Sequence, residues 1–396
     1  MMLLGCLHLA WAYVVRHRAR TALLALALGL TLALPLALRL FMQIAQRELR
    51  ARAEATPLVL GAKGSALELT LNALYFRRRG VESITVKDSS QIASDKLADA
   101  IPLYVRFHSQ EAPIVGTSLD YFAFRRLKVA QGRLMGRLGD CVVGARVARQ
   151  RGLRAGDAVF SSPEQVFDIA GVYPLKMRVT GILAESHSAD DDAVFVDVKT
   201  AWIIEGLAHG HEDLVTTQDT ANVLEKQQGN VVGTKAVRMY TEVTPATLAG
   251  FHFHGDTAAF PLSAALVLPK DAKARALLLG RYQAEGKAGT AQLVQPLEQM
   301  DALLGTLFQA ERLALAAFAG IGVVVLLIAM LVFALSFKLR RREFATLEDI
   351  GINSGTIALV KLCEIVMVCA ASACVVLAAW WLVQTFGVGL VRVGLQ

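Results

Sequence analysis

The sequence predicts an α-helical membrane protein with three spans and a large α/β extracytoplasmic domain between the first and second spans. Three observations predict it. Apolar residues make up 54% of the 396 and mean hydropathy is +0.45, too apolar for an ordinary soluble globule of this size. These residues gather in three uncharged blocks, and the remainder reads like a soluble domain. The arginines and lysines behind the net charge of +7 concentrate beside those blocks. That placement fits a membrane-orientation signal better than a phosphate-binding face, so nucleic acid is not an expected partner.

Residues 1–20 read as an interfacial helix: Met1 to Val15 is apolar but short, ends in Arg16, and has Trp11 and Tyr13 as anchors. Residues 21–43 form the first span. Thr21 to Leu38 is uncharged, and the apolar character resumes at Leu40 to Met42; roughly 20 such residues cross the hydrocarbon core. Pro35 is a kink position, and Arg39 can extend its stem to the interface. A signal peptide would have a shorter apolar region of roughly 7–15 residues, so an uncleaved anchor is expected.

Residues 313–337 form the second span. The third apolar run, Ile365 to Val391, is interrupted only by Gln384 and places the third span at 357–386, leaving 387–396 as a tail. Gly320 and Gly322 in the second span, and Ala370, Ala371, Ser372 and Ala373 in the third, would permit close helix approach. Trp380 and Trp381 suit the far interface of the third span. Two basic clusters, Arg16, Arg18 and Arg20, then Lys338, Arg340, Arg341 and Arg342, both belong inside. The first span therefore leads out of the cytoplasm, the second returns and the third leads out again. Residues 44–312 become a periplasmic domain of a bacterial inner-membrane protein, and 338–356 a cytoplasmic segment.

Within 44–312, strands are expected at Pro57–Leu60, Val81–Lys87, Leu103–His108, Pro113–Ser118, Ala158–Ser161, Lys176–Leu183, Ala193–Val198, Lys235–Tyr240 and Ser263–Leu268, where Val, Ile, Phe and Tyr lie between turn residues. Helices are expected at Leu67–Arg78, Ala145–Arg151, Thr200–Leu207 and Leu293–Ala316, the last running into the second span. Thr216 to Gly233 is polar and Gln/Asn-rich and reads as a mobile loop. Of five cysteines, only Cys141 falls in this domain, so no disulfide forms within it.

The chain has no G-x-x-x-x-G-K-S/T, G-x-S-x-G, H-E-x-x-H or C-x-x-C. No cofactor is expected on this chain, and if the protein uses ATP, another subunit binds it. The spans lack the mid-helix ionisable residues of a proton- or ion-coupled pump; Glu364, near the start of the third helix, comes closest. Two histidine pairs, His209/His211 and His252/His254, each place imidazoles two residues apart, on one face if the backbone is extended. Either pair is a candidate zinc or copper chelate, against the alternative of two polar surface turns. Ser186, His187, Ser188 and Asp190 lie too close in sequence to build a catalytic triad and read as a loop.

The order of elements resembles the ABC permeases of the macrolide-exporter, lipoprotein-release and cell-division group (MacB, LolC/LolE and FtsX). The opening HLAWAYVVRHRARTALLALALGL resembles that group's L-A-x-x-x-x-x-R-x-x-R-T start. FKLRRREFATLEDIGINSGTIALVKLCE resembles its signature between second and third spans, at Arg342, Glu343, Leu347, Ile350, Gly351, Ile357 and Glu364. VVGARVARQRGLRAGDAVF and MRVTGILAESHSADDDAVFVDVKTAW resemble two periplasmic stretches of the same group.

The resemblance implies a MacB-type periplasmic core and a separate cytoplasmic ABC ATPase that binds ATP and magnesium. It implies a homo- or heterodimer with a second permease, and a periplasmic adaptor or lipoprotein as a further partner. It also makes Arg341, Arg342, Glu343, Leu347, Ile350 and Gly351 the ATPase-coupling segment, a short helix whose acidic residues and terminal glycine a plain positive loop would not need. The group has four spans, so this chain reads as a three-span variant or as an incomplete one. The leading expectation is ATP-driven motion of the periplasmic domain that exports or extracts lipid, lipoprotein, peptide or drug. The alternatives are a non-transporting divisome-type regulator and a membrane-anchored periplasmic metal-binding sensor.

Overall fold

The structure, a computed structural model, describes residues 2–77, 81–94, 96–162, 174–210, 223–227, 230–233, 240–283 and 289–395. The helices are α1 (Met2–Arg16), α2 (Arg18–Glu54), α3 (Ala66–Tyr75), α4 (Val86–Ser94), α5 (Asp120–Phe124), α6 (Ala145–Arg151), α7 (Val198–Glu205), α8 (Ala272–Gln283), α9 (Pro296–Leu339), α10 (Arg341–Asp349) and α11 (Ser354–Leu395). The strands are β1 (Leu58–Ala62), β2 (Ile84–Thr85), β3 (Ala98–Ser109), β4 (Ala112–Thr117), β5 (Val129–Gly132), β6 (Asp140–Val143), β7 (Ala158–Phe160) and β8 (Lys176–Leu183). They continue with β9 (Val194–Asp197), β10 (Ala208–Gly210), β11 (Val223–Gln227), β12 (Asn230–Gly233), β13 (Phe251–Phe253), β14 (Pro261–Leu262), β15 (Ala264–Pro269) and β16 (Ala291–Val294). The chain divides into two compact units, Met1–Arg50 with Asp301–Gly394, and Ala51–Met300 with Leu395–Gln396.

Three helices, α2 and α9, each mostly in the first unit, and α11 over Ser354–Val391, are long and apolar enough to cross a membrane, while Leu3–Arg16 is a shorter apolar helix. Apolar side chains stand exposed around α9, among them Ile321, Val324, Leu327, Ile328 and Leu331; in water that would be costly, and in hydrocarbon it is the expected surface. Close approach is made at Gly29, where an added Cβ would lie 2.7 Å from the Val375 Cβ and 3.1 Å from the Ser372 carbonyl oxygen. Ser372 is thus a contact residue as its size suggests. Gly320 is not: nothing lies within 4 Å of where its Cβ would be. Small size permits close approach but does not say which helix arrives.

The second unit is built on a ten-stranded sheet in the order β16-β1-β15-β3-β4-β9-β6-β8-β5, with β7 on β8. The pairs β4–β9 and β6–β8 are parallel and the others antiparallel. Alternation sets the two faces. Leu58, Leu60, Ala265, Val267, Ile114, Val194, Val196, Cys141 and Val143 fall in register and join one core cluster with Ile92 of α4 and Ala201 and Trp202 of α7. Val59, Leu266, Leu103, Val115, Phe195 and Val142 have the opposite parity and are buried as well. Against that second face, Phe76, Tyr121 and Phe122 crowd Phe195 with ring centroids 5.4–5.9 Å away. A sheet covered on both faces explains strands that read as continuous apolar runs.

Several expectations are corrected. Val81–Lys87 is a strand only at Ile84 and Thr85, because α4 begins at Val86. Thr85 donates through its N–H and hydroxyl to Asp88 Oδ2 at 2.8 and 2.7 Å, and the Asp88 N–H returns to Thr85 Oγ1 at 3.3 Å, a reciprocal helix cap. The helix expected from Leu293 starts at Pro296, a residue suited to a first helical position, while Leu293 and Val294 pair with β1. Within Thr216–Gly233, β11 and β12 form an antiparallel pair rather than irregular chain; residues 216–222 and 228–229 lie outside the described residues. Of the expected strand Lys235–Tyr240, residues 235–239 also lie outside them, and Tyr240 is not in a strand. Glu364, expected near the start of the third helix, lies well inside it: α11 starts at Ser354, where the Gly355 N–H donates to Asn353 Oδ1 at 3.0 Å.

Candidate functional site

The residues between the second and third spans form a short helix with two unlike sides. Phe344 is buried and Leu347 half-buried, whereas Arg341, Arg342, Glu343 and Ile350 are exposed, Ile350 at 73%. The helix stops at Gly351, whose φ of 95° is left-handed. The Gly351 N–H donates to the Glu348 carbonyl at 2.9 Å and the Ile352 N–H to the Leu347 carbonyl at 3.0 Å. That pair of bonds is a Schellman stop, which glycine permits without a Cβ penalty.

Arg340, just before α10, holds this helix in place. Its guanidinium donates to Glu364 Oε1 at 2.5 Å and to Glu343 Oε2 at 3.0 Å. It also stacks 3.6 Å from the Tyr13 ring centroid and 4.8 Å from that of Phe344. Lys361 of α11 lies over Phe344 at 4.5 Å. One arginine thus ties α1, α10 and α11 together. The Arg340–Glu343 spacing is legible as an i, i+3 pair. The partnership with Glu364 and Tyr13 has no local signal, and sequence reasoning missed it. Arg341 and Arg342 are exposed.

A second buried charge network, also missed, lies in the other unit. Arg52, in the last turn of α2, donates to Asp190 Oδ2 at 2.7 Å and Oδ1 at 3.0 Å, to the Tyr121 hydroxyl at 3.0 Å, and to the Leu74 carbonyl. Tyr121 donates to Asp190 Oδ1 at 2.6 Å. Burial works to raise the Asp190 carboxyl, but the Arg52 charge and the hydrogen bonds outweigh it and leave the group lowered to about 2. Burial, with the Asp190 charge, pushes the Tyr121 hydroxyl well above its ordinary value. The loop of Ser186, Ser188 and Asp190 is therefore structural: Ser188 caps the short turn Ala189–Asp192, and Asp190 is committed to Arg52.

The histidines are regrouped across strands. His209 on β10 stands opposite His252 on β13, and His254 follows two residues on. Their ring centroids are 5.0 Å (209–252), 4.5 Å (209–254) and 4.7 Å (252–254) apart. One nitrogen from each lies within 4.8 Å of the others. His211 lies outside the described residues. Pairing by sequence spacing put 209 with 211; the strand register puts 209 with 252 instead.

Known proteins match along the same lines. Residues 21–248 match the MacB-like periplasmic core domain family. The extracellular domain of YknZ, described as a noncanonic ABC-type transporter from Gram-positive bacteria, is similar at 13% identity with a TM-score of 0.32, over 60% of this chain and 98% of that one. The periplasmic region of MacB from Actinobacillus actinomycetemcomitans is similar at 10% identity with a TM-score of 0.34, over 65% of this chain and 97% of that one. No curated protein matches the chain. The family match spans more than half of the sequence, and the chain belongs to the MacB-like periplasmic core domain family.

Proposed function

We propose that this chain is the permease subunit of an ABC transporter in a bacterial inner membrane, with its core domain in the periplasm. A separate ATPase chain binds the ATP and magnesium and docks on α10. ATP-driven movement of that partner passes through the spans to the periplasmic domain, which handles a lipid, lipoprotein, peptide or drug substrate together with a second permease chain and a periplasmic adaptor.

The observation that carries this reading is the two-sided α10. Its inner side is anchored by Arg340 and Phe344, while Arg341, Arg342 and Ile350 are exposed in a segment flanked by two spans. An exposed isoleucine among charged residues at a helix end is an anchor suited to a protein partner's pocket. The sequence resemblance of the segment between the second and third spans supports an ATPase as that partner.

The test is co-purification from detergent extracts of the native host, followed by identification of the bound chain and measurement of its ATPase rate. An ATPase carrying G-x-x-x-x-G-K-S/T is expected with the wild-type chain. Ile350→Asp and Arg342→Glu should lower its recovery at least about tenfold, as loss of a central anchor commonly does, without loss of membrane insertion. A chain that never brings down an ATPase would overturn the reading.

A further inference from the structure

We propose that His209, His252 and His254 form a three-histidine site for a divalent transition-metal ion of the zinc and copper class. The site goes beyond the permease reading and does not depend on it.

Its geometry follows from strand pairing. β10 and β13 are antiparallel with Ala208 opposite Phe253, His209 opposite His252 and Gly210 opposite Phe251. Alternation sends Phe251 and Phe253 toward the domain core, where the Phe253 ring meets Trp202 edge-on at 6.5 Å. His252 takes the other face, and His254, two residues on, returns to it. The His254 N–H donates to the Leu207 carbonyl at 3.0 Å, which keeps the chain against β10 beyond the end of β13. The apolar side of the pair thus fixes the position of the polar side.

The donor set suits the ion. Neutral imidazole is a ligand for zinc and copper, at about 2.0–2.1 Å for zinc. Around a tetrahedral ion such nitrogens sit about 3.3 Å apart, and the three here already lie within 4.8 Å of one another. Rotation of the exposed His252 and His254 side chains toward the half-buried His209 would close that gap. His252 Nδ1 lies 3.2 Å from the Gly250 carbonyl, the kind of outer contact that orients a metal-binding histidine. Three protein ligands leave a fourth position for water.

A second group, Glu185, His187 and Asp191, is also closely spaced, but it is a poorer site. Asp191 already accepts from the Ser186 N–H at 2.8 Å, the Ser186 hydroxyl at 2.9 Å and the Ser188 N–H at 3.3 Å. What the ion would do is also readable. Three residue pairs make a two-stranded ribbon too short to be stable by itself. A metal held across the ribbon ties β10 to β13.

The test uses the full-length chain in detergent with no histidine tag, stripped of metal and titrated with zinc sulfate by calorimetry. One zinc per chain is expected, with a rise in Tm on addition. His209→Ala, His252→Ala and His254→Ala should each weaken binding at least about tenfold and abolish the rise, while His187→Ala changes neither. If an alanine variant does not fold, His252→Cys decides, because a thiolate also ligates zinc: retained binding supports the site and lost binding overturns it. Absence of stoichiometric binding, or alanine variants that bind like wild type, would also overturn it.

Discussion

Arg340 has 14% of its side chain exposed and Glu364 has 3%, so neither charge is solvated well enough to stand alone. Removing one partner from such a pair leaves an uncompensated charge and costs about 3–5 kcal/mol. Arg340→Ala should therefore lower the Tm of the detergent-solubilised protein markedly, and adding Glu364→Gln should recover part of the loss; a double variant no better than the single would show that the pair is not the cause. Arg52 and Asp190 pose the same problem with a pH dependence attached. The Asp190 carboxyl is depressed in the folded state, so its stabilisation is complete above the ordinary carboxylate range. It is lost as pH falls from about 4 toward about 2. Asp190→Asn should destabilise the domain at neutral pH and flatten that acid limb, measured as Tm against pH. None of these partnerships was legible, since the residues are 24 and 138 positions apart and arginine beside an apolar block reads first as an orientation signal.

Among the elements, the sequence spoke clearly where the signal was local. Ala145–Arg151 and Lys176–Leu183 have the bounds expected of them, the first closed by Gly152 in a left-handed conformation and the second favoured as a strand by Val179, Thr180 and Ile182. Elements were missed where a cap had to be weighed against an apolar run. Thr85 and Asp88 cut a strand short, and Asp271, which accepts from the Ala274 N–H at 2.6 Å, starts α8 in a stretch read as nothing. The strand Asp140–Val143 is too brief to show alternation. Gly351 was legible as a stop, and it gives an element-scale prediction. A Cβ at φ 95° is strained, so Gly351→Val should cost about 1–2 kcal/mol locally and loosen α10. The expected result is weaker ATPase co-purification with normal insertion, and unchanged recovery would show that the stop is not needed for docking. At Gly29 the objection to a side chain is space rather than φ. Gly29→Leu would drive into Val375 and Ser372 and should lower the Tm of the protein in detergent.

For the whole molecule, the hydropathy pattern conveyed most of the architecture, because three long uncharged runs leave few alternatives once each must satisfy its backbone internally. The long mixed sheet was not legible: β16 lies beside β1 and β15 beside β3, pairings across the sequence that no local pattern encodes. Nor was the histidine cluster, which depends on the register of β10 against β13. The orientation of the molecule rests on charge placement, with Arg16, Arg18 and Arg20 before the first span and Lys338 to Arg342 after the second. On this reading both clusters stay on one side, because moving arginine or lysine across hydrocarbon is costly. This argues a last experiment, in a chain freed of its five native cysteines. Lys273 and Arg342 are both exposed, so a cysteine at either is open to a membrane-impermeant maleimide wherever water reaches it. In spheroplasts, Lys273→Cys should be labelled at once and Arg342→Cys only after the membrane is permeabilised. The reverse pattern would place α10 outside the cell, out of reach of any ATPase, and the permease reading would fall with it.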